Sequence, residues 1–204
     1  MTQSRRNFLK TTVAGAGITV LPFIASAGSQ SGDMFESSAG AIKVHPIRHA
    51  SVILETPVGV IYVDPVGEAQ LYNSRPAPDF ILVTHEHGDH FKAETLSALV
   101  QENTRLLTNP AVYSKLPDAL KAEASKISNG ESTAFKEMGI EAIPAYNLTE
   151  ERKKFHPKGR DNGYVLSIGN FRIYLSGDTE DIPEMRALKD IDLAFVCMNL
   201  PFTM

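Results

Sequence analysis

The stretch DFILVTHEHGDH, residues 79–90, carries the strongest structural and chemical signal in this chain. Its first half, residues 79–84, is an apolar run that predicts a short strand buried on both faces. Its second half places three histidines and two carboxylates within six residues. Imidazole and carboxylate groups together suit zinc, with manganese or iron as alternatives. The stretch therefore predicts a metal site at the end of a buried strand.

The spacing of these side chains is suited to two metal ions. His85 and His87 are two residues apart, so on an extended segment both rings leave the same side of the backbone and can bind one ion. Gly88 permits a sharp turn, which places Asp89 and His90 at the start of a following helix, within reach of a second ion. Two ions about 3.5–4 Å apart can hold a bridging hydroxide that attacks a scissile bond.

The rest of the chain predicts sheets with helices outside them. Short β-rich runs are separated by turn signals such as Thr56-Pro57 and Gly169-Asn170. Meandering strands with few helices favour an α/β sandwich. Predicted strands cover residues 42–49, 51–55, 58–64, 79–84, 105–108, 132–136, 140–145, 164–168, 171–176 and 192–198, and predicted helices cover 92–101, 110–116, 118–125 and 183–189.

Residues 1–27 have the features of an export signal. A basic start, a short apolar stretch and a small-residue exit (ASA at 25–27) predict a secretory signal peptide. Arg5 and Arg6 lie within SRRNFLK at 4–10, which resembles the twin-arginine export signal. A retained membrane helix is the alternative, but the apolar run is short and contains glycine and proline. We therefore expect a periplasmic or secreted protein with no stable membrane anchor.

The composition narrows the function classes. A net charge of −4 gives no basic excess for binding nucleic acid. Cys197 is the only cysteine, so no internal disulfide can form. Residues 28–40 are rich in Gly and Ser and predict a flexible linker, which leaves 41–204 as the folded domain. We expect a small molecule as the partner, and the sequence indicates no oligomeric state.

Several segments in order along the chain resemble the metallo-β-lactamase-fold hydrolases, and their lactonase-like branch in particular. The matching segments are HASV at 49–52, YVDP at 62–65, HEHGDH at 85–90, IPAYN at 143–147 and YLSGDT at 174–179. The resemblance implies a metallo-β-lactamase-type αββα sandwich with two metal ions, zinc by preference. It implies nothing about which substrate is cleaved, since one fold supports many activities.

The resemblance also implies roles for individual residues. His85 and His87 would bind the first metal, and Asp89 and His90 the second. Asp178, in the segment that matches the family's GDT motif, would bridge the two ions. Asp89 would in addition act in catalysis, by orienting the bridging water or accepting its proton.

The chain departs from the family pattern at two places. The family's third histidine for the first metal often lies in the segment where this chain has Asn147, so either Asn147 or the later His156 is expected in that role. The family also continues after the strand at 192–198 with a helix, a strand and a final histidine for the second metal. This chain ends at Met204, so we expect a sandwich that is incomplete at its C terminus.

Other polar residues have both a functional and an ordinary interpretation. His49 and Asp64 are candidate outer partners of metal-binding rings, and turn or core roles explain them equally well. Glu86 is expected to point away from the metal side. The basic residues between 152 and 160 are interpreted as a solvated loop, with a rim that attracts anionic substrates as the alternative.

The sequence therefore supports a metal-dependent hydrolase, in which a metal-bound hydroxide attacks an ester, lactone or phosphodiester of a small molecule. A non-catalytic, truncated metal-binding remnant of such an enzyme is the main alternative. A di-iron oxidoreductase on the same loop is a third possibility, less favoured because it would use a carboxylate ligand at Glu86 and a flavin partner, for which the sequence shows no dinucleotide motif.

Overall fold

A computed structural model describes residues 32–198. The predicted signal peptide at 1–27 and the C-terminal residues 199–204 lie outside the described residues. The described chain forms a seven-stranded sheet in the order β1 to β7 and a five-stranded sheet in the order β12-β11-β10-β9-β8. The strands are β1 Asp33–Ser37, β2 Gly40–Arg48, β3 Ser51–Thr56, β4 Gly59–Val63, β5 Phe80–Val83, β6 Arg105–Thr108, β7 Ala124–Lys126, β8 Ser132–Phe135, β9 Met138–Ala145, β10 Asp161–Ile168, β11 Phe171–Leu175 and β12 Leu193–Phe195.

The helices are short and lie outside the sheets, as predicted. They are α1 Ala93–Leu99, α2 Pro110–Lys115, α3 Asp118–Lys121 and α4 Pro183–Arg186, with 3₁₀ turns at Ala69–Tyr72 and Glu150–Arg152. Leucine and valine side chains of α1, α2 and α3 pack on the outer face of the seven-stranded sheet. Helix α4 lies beside β9 of the other sheet. The layers are those of the predicted αββα sandwich.

Strand β5 is buried along its whole length, which explains its apolar sequence. Its side chains alternate between two cores. Phe80 and Leu82 pack in the core between the two sheets, and Ile81 and Val83 pack in the core beneath the helices. Its neighbours β4 and β6 run parallel to it, so the carboxyl ends of these strands lie at one edge of the sheet.

Two predicted segments are corrected by strand pairing at the sheet edges. Residues 28–40 are predicted as a flexible linker, but Asp33–Ser37 form β1, which pairs antiparallel with β2. Residues 118–125 are predicted as one helix, but α3 ends at Lys121 and Ala124–Lys126 form β7, parallel to β6. In both places the backbone hydrogen bonds of an available edge outweigh a weak local preference.

The HEHGDH segment lies before its helix rather than at its start. Helix α1 begins at Ala93, whereas the sequence predicts a helix from residue 92 with Asp89 and His90 at its N terminus. A tight turn precedes it, in which the His87 carbonyl accepts from the His90 N–H at 2.9 Å and from the Phe91 N–H at 2.8 Å. This turn, not the helix, determines the directions of Asp89 and His90.

Candidate metal centre

The backbone at the end of β5 is fixed to both sheets through Thr84. Its N–H donates to Asp64 Oδ1 at 2.7 Å, just after β4. Its carbonyl accepts from Asn109 Nδ2 at 2.8 Å and from the backbone N–H of Asn162, on β10, at 3.1 Å. Asn109 also caps α2, since its side-chain oxygen accepts from the Val112 N–H at 2.8 Å. The histidines that follow Thr84 therefore start from a rigid position.

Three histidines and one aspartate converge beyond this point. Ligand atoms of His85, His87, His156 and Asp178 all lie within 4.8 Å of one another. The distances to Asp178 Oδ2 are 3.8 Å from His85 Nε2 and 3.6 Å from His156 Nε2. His85 and His156 are fully buried, and His87 lies toward the surface. We call this group the first cluster.

Buried nitrogen atoms without partners show that the region around Asp178 suits a metal ion. The Nε2 atoms of His85, His90 and His156 are buried and have no hydrogen-bond partner among residues 32–198. A buried polar atom left without a partner is costly, and such atoms are rare in folded proteins. An ion that accepts these lone pairs removes the cost, and imidazole with carboxylate is a common donor set for zinc.

The opposite nitrogen of each of these rings is held by the protein. The Nδ1 atom of His85 lies 3.0 Å from the hydroxyl of Thr84. Carboxylates of Asp64 and Asp161 lie 2.7 Å from His90 Nδ1 and 3.1 Å from His156 Nδ1. In its neutral form, each ring can keep its proton on Nδ1 and present a lone pair on Nε2, which is the tautomer that binds a metal.

Asp161 is itself held in place by a neighbouring arginine. Its two carboxylate oxygens accept from Arg160 Nε at 2.7 Å and from an Arg160 terminal nitrogen at 2.8 Å. Another terminal nitrogen of Arg160 lies 3.6 Å from Glu86, whose other oxygen lies 2.9 Å from Lys115 Nζ. Glu86 therefore points away from the first cluster, as predicted. In the basic run, Arg160 holds Asp161, the partner of His156, and does not form a free rim.

A second group of ligand atoms lies on the outer side of Asp178. Atoms of His49, Asp89 and His90 lie within 4.8 Å of one another. His49 Nε2 is 3.1 Å from Asp89 Oδ2, and both side chains are about half exposed. His90 Nε2 is 3.3 Å from Asp178 Oδ1, so the Asp178 carboxylate has one oxygen toward each group. We call this group the second cluster.

Burial and charge divide the histidines into two electrostatic classes. Burial lowers the pKa of His85 well below its usual value and also lowers the pKa of His87, so both rings are neutral. Burial also disfavours charge on His90, but the neighbouring carboxylates of Asp178 and Asp64 outweigh it and raise the pKa of His90 to about 10. The same contact with His90 lowers the pKa of Asp178 despite its burial. This end of the site favours positive charge.

The predicted residues thus fall into two adjoining groups. His85, His87, His156 and Asp178 form the first cluster, while Asp89 and His90 lie in the second. The structure brings His156, and not Asn147, to the first cluster. The Asn147 side chain instead donates to the Arg152 carbonyl at 3.0 Å.

Two residues of the site have a closer connection to it in the structure than the sequence indicates. Asp161 is not singled out by the sequence, although it follows His156 by only five residues and a metal-binding ring ordinarily has such a partner. His49 is interpreted there only as an outer partner or turn residue, yet its ring lies edge-on to that of His90 with centroids 5.4 Å apart.

No helix within residues 32–198 is long and apolar enough to cross a membrane.

Comparisons with known proteins agree with this architecture. A family model described as the β-lactamase superfamily domain matches residues 43–204. The crystal structure of a protein from Parabacteroides distasonis, assigned by inference as a metal-dependent hydrolase, is 40% identical. It aligns with a TM-score of 0.78 over 86% of this chain and 79% of that protein.

More distant relatives extend the comparison. A UPF0173 metal-dependent hydrolase of Anaeromyxobacter dehalogenans is 28% identical over 189 residues, which cover 83% of this chain and 69% of that protein. CmlA, a diiron β-hydroxylase from Streptomyces venezuelae, is 19% identical with a TM-score of 0.61, over 79% of this chain and 34% of CmlA. The likeness to CmlA concerns the fold alone.

Proposed function

The chain belongs to the β-lactamase superfamily and is a metal-dependent hydrolase of that superfamily, and we propose that it cleaves an ester, lactone or phosphodiester bond of a small molecule with the aid of zinc. The observation that carries this proposal is the convergence of three buried, unpartnered Nε2 atoms around one aspartate. Manganese and iron remain alternatives for the metal, since nitrogen and carboxylate ligands accept them as well.

When bound, such an ion supplies Lewis acidity and a water nucleophile that is active near neutral pH. The chain's own residues prepare that chemistry. His85 and His87 present neutral rings, His156 directs its unpartnered Nε2 toward Asp178, and Asp178 lies between the two clusters with one oxygen toward each. This arrangement supports the bridging role proposed for Asp178.

Asp89 is the residue we propose for proton transfer. Its carboxylate is about half exposed and lies in the second cluster, beside His49. A carboxylate that faces both the site and the solvent can orient water, take up its proton and release it to bulk. Asp178 is much more buried and contacts three histidines, so it is less suited to exchange protons with solvent.

The surroundings of the site are suited to a small substrate. A cavity of about 460 Å³ opens beside His90 and Asp178. Its other lining residues include Val52, Leu175 and Phe195, so an apolar surface adjoins the charged centre. A volume of this size is typical of small-molecule sites. These features support a small organic ester or lactone more than a polymeric substrate.

The test combines metal analysis with a substrate panel. We expect the purified protein to contain zinc by elemental analysis and to hydrolyse at least one member of a panel of aryl esters, lactones and bis-aryl phosphodiesters. The double variant His85→Ala, His87→Ala should lose both metal and turnover. Bound zinc with no turnover across the panel would favour the non-catalytic remnant, and a protein that binds no divalent metal would refute the proposal.

We also propose that the protein is exported to the periplasm through the twin-arginine route. The proposal is supported by the SRRNFLK segment, whose structure lies outside the described residues. The segment resembles the signal of a route for proteins that fold before transport. Folding before transport would allow the metal to be loaded in the cytoplasm. Changing Arg5 and Arg6 to lysine should retain the protein inside the cell, as fractionation would show. Unchanged export of that variant would point to another route.

A further inference from the structure

We infer that His49 is a metal ligand, and that it completes a second metal subsite with Asp89, His90 and the outer oxygen of Asp178. The inference rests on the proposed metal-dependent function and adds to it a ligand from the turn between β2 and β3. Two imidazoles and two carboxylates form a four-ligand set that suits a zinc ion.

The first support is geometric. His49 Nε2 lies 3.1 Å from Asp89 Oδ2, and the His49 ring faces the edge of His90 with centroids 5.4 Å apart. Ligand atoms of the three residues fall within 4.8 Å of one another, close to the separation of at most about 4.2 Å that two ligands about 2.1 Å from one zinc ion can have. His90 Nε2 lies 3.3 Å from Asp178 Oδ1, so that aspartate also reaches this group.

The second support is the buried Nε2 atom of His90, which has no hydrogen-bond partner among the described residues. His90 is nearly fully buried and its other nitrogen is held by Asp64, so the ring cannot turn toward solvent without breaking that contact. A surface ion pair between His49 and Asp89 would account for those two residues alone. An ion held among all three accounts for the unpartnered nitrogen as well.

The third support is the backbone at His49. Arg48 pairs with Ser51, so His49 and Ala50 form a two-residue turn, and His49 has a φ of 48°. Glycine and asparagine occupy this left-handed conformation with the least strain. A histidine here accepts an unfavourable backbone, which is most readily explained if its side chain is needed at the position where the turn places it.

Metal binding tests the inference directly. Metal-free protein is titrated with Zn²⁺ by calorimetry and with Co²⁺ by visible absorption, and bound ions are counted after gel filtration. His49→Asn keeps a residue that tolerates the left-handed backbone and removes the imidazole, and Asp89→Asn removes an exposed ligand at little risk to folding. His45→Gln is the matched control, because His45 is buried outside both clusters and pairs with Glu55 at 2.7 Å.

We expect two ions in the wild type and in His45→Gln, and one in His49→Asn and Asp89→Asn. Affinity for the second ion should fall by at least about 10-fold, since even outer partners of a metal are worth about 10–100-fold. Two ions bound by His49→Asn with unchanged affinity would overturn the inference. A wild type that binds a single ion would overturn it too, while leaving the proposed function intact, and a wild type that binds none would refute the proposed function itself.

Discussion

Asp64 offers a test of how the protein sets the protonation of His90, a proposed metal ligand. Its Oδ1 accepts from the Thr84 N–H at 2.7 Å, and its Oδ2 lies 2.7 Å from both the Thr84 hydroxyl and His90 Nδ1. In Asp64→Asn the backbone N–H requires the carbonyl oxygen at the first position. The amide nitrogen must then occupy the second position and donate to His90 Nδ1. That forces the His90 proton onto Nε2, the atom that faces Asp178.

The size of the effect follows from the bonds that change. Hydrogen bonds to a charged group are worth about 1.5–3 kcal/mol, so the metal-free variant should lose about 2 kcal/mol of stability. For a domain of this size that corresponds to a Tm lower by about 4–8 °C. Zinc affinity should fall by about 10–100-fold, because His90 can bind the ion only after losing its Nε2 proton.

A competition titration against a chromophoric zinc chelator measures the affinity, and thermal melting in EDTA measures the stability. Asp79→Asn is the matched control. Asp79 lies at the other end of β5, where its carboxylate accepts from the Val60 N–H at 2.8 Å, so this variant should lose stability but keep its zinc affinity. Wild-type zinc affinity in Asp64→Asn would show that the tautomer of His90 does not govern binding.

Three further outcomes follow from the same structure. EDTA should lower the Tm of the zinc-loaded protein by about 5–10 °C, since ligand at 100 times its Kd adds about 2.7 kcal/mol; an unchanged Tm would mean that binding is not coupled to folding. Asp178→Asn should lower zinc affinity at least about 10-fold by chelator competition, and a smaller change would argue against its place between two ions. Leu82→Ala removes a fully buried side chain between the sheets and should cost about 2–5 kcal/mol by urea unfolding, whereas a loss below about 1 kcal/mol would mean that the core collapses around it.

The parts of this protein that were predictable from sequence are those that depend on local pattern. Strand β5 is buried on both faces, so its run of apolar residues is unbroken and identifies it directly. The hairpin at Gly169-Asn170 has the expected turn residues, and the structure joins β10 to β11 there. His85 and His87 are two residues apart in a short loop, which leaves little freedom in where their rings lie.

The parts that were not predictable depend on pairing between distant segments. Strand β7 forms because an open edge of β6 accepts it, and nothing in Ala124–Lys126 indicates that edge. His49 reaches His90 only because the register of β2, β3 and β4 brings their turn to the carboxyl end of β5. Asp161 is identified as the partner of His156 only after β10 has been placed.

The candidate metal ligands come from both sheets of the sandwich. His85 follows β5 of the seven-stranded sheet, Asp178 follows β11 of the five-stranded one, and Tyr164 links the two sheets by donating to the Val83 carbonyl at 3.0 Å. A metal ion bound there would have ligands from both sheets and would connect them. A substitution in the core that shifts one sheet against the other should weaken metal binding even when it lies far from the ligands. Metal affinity therefore reports on how the two sheets are aligned.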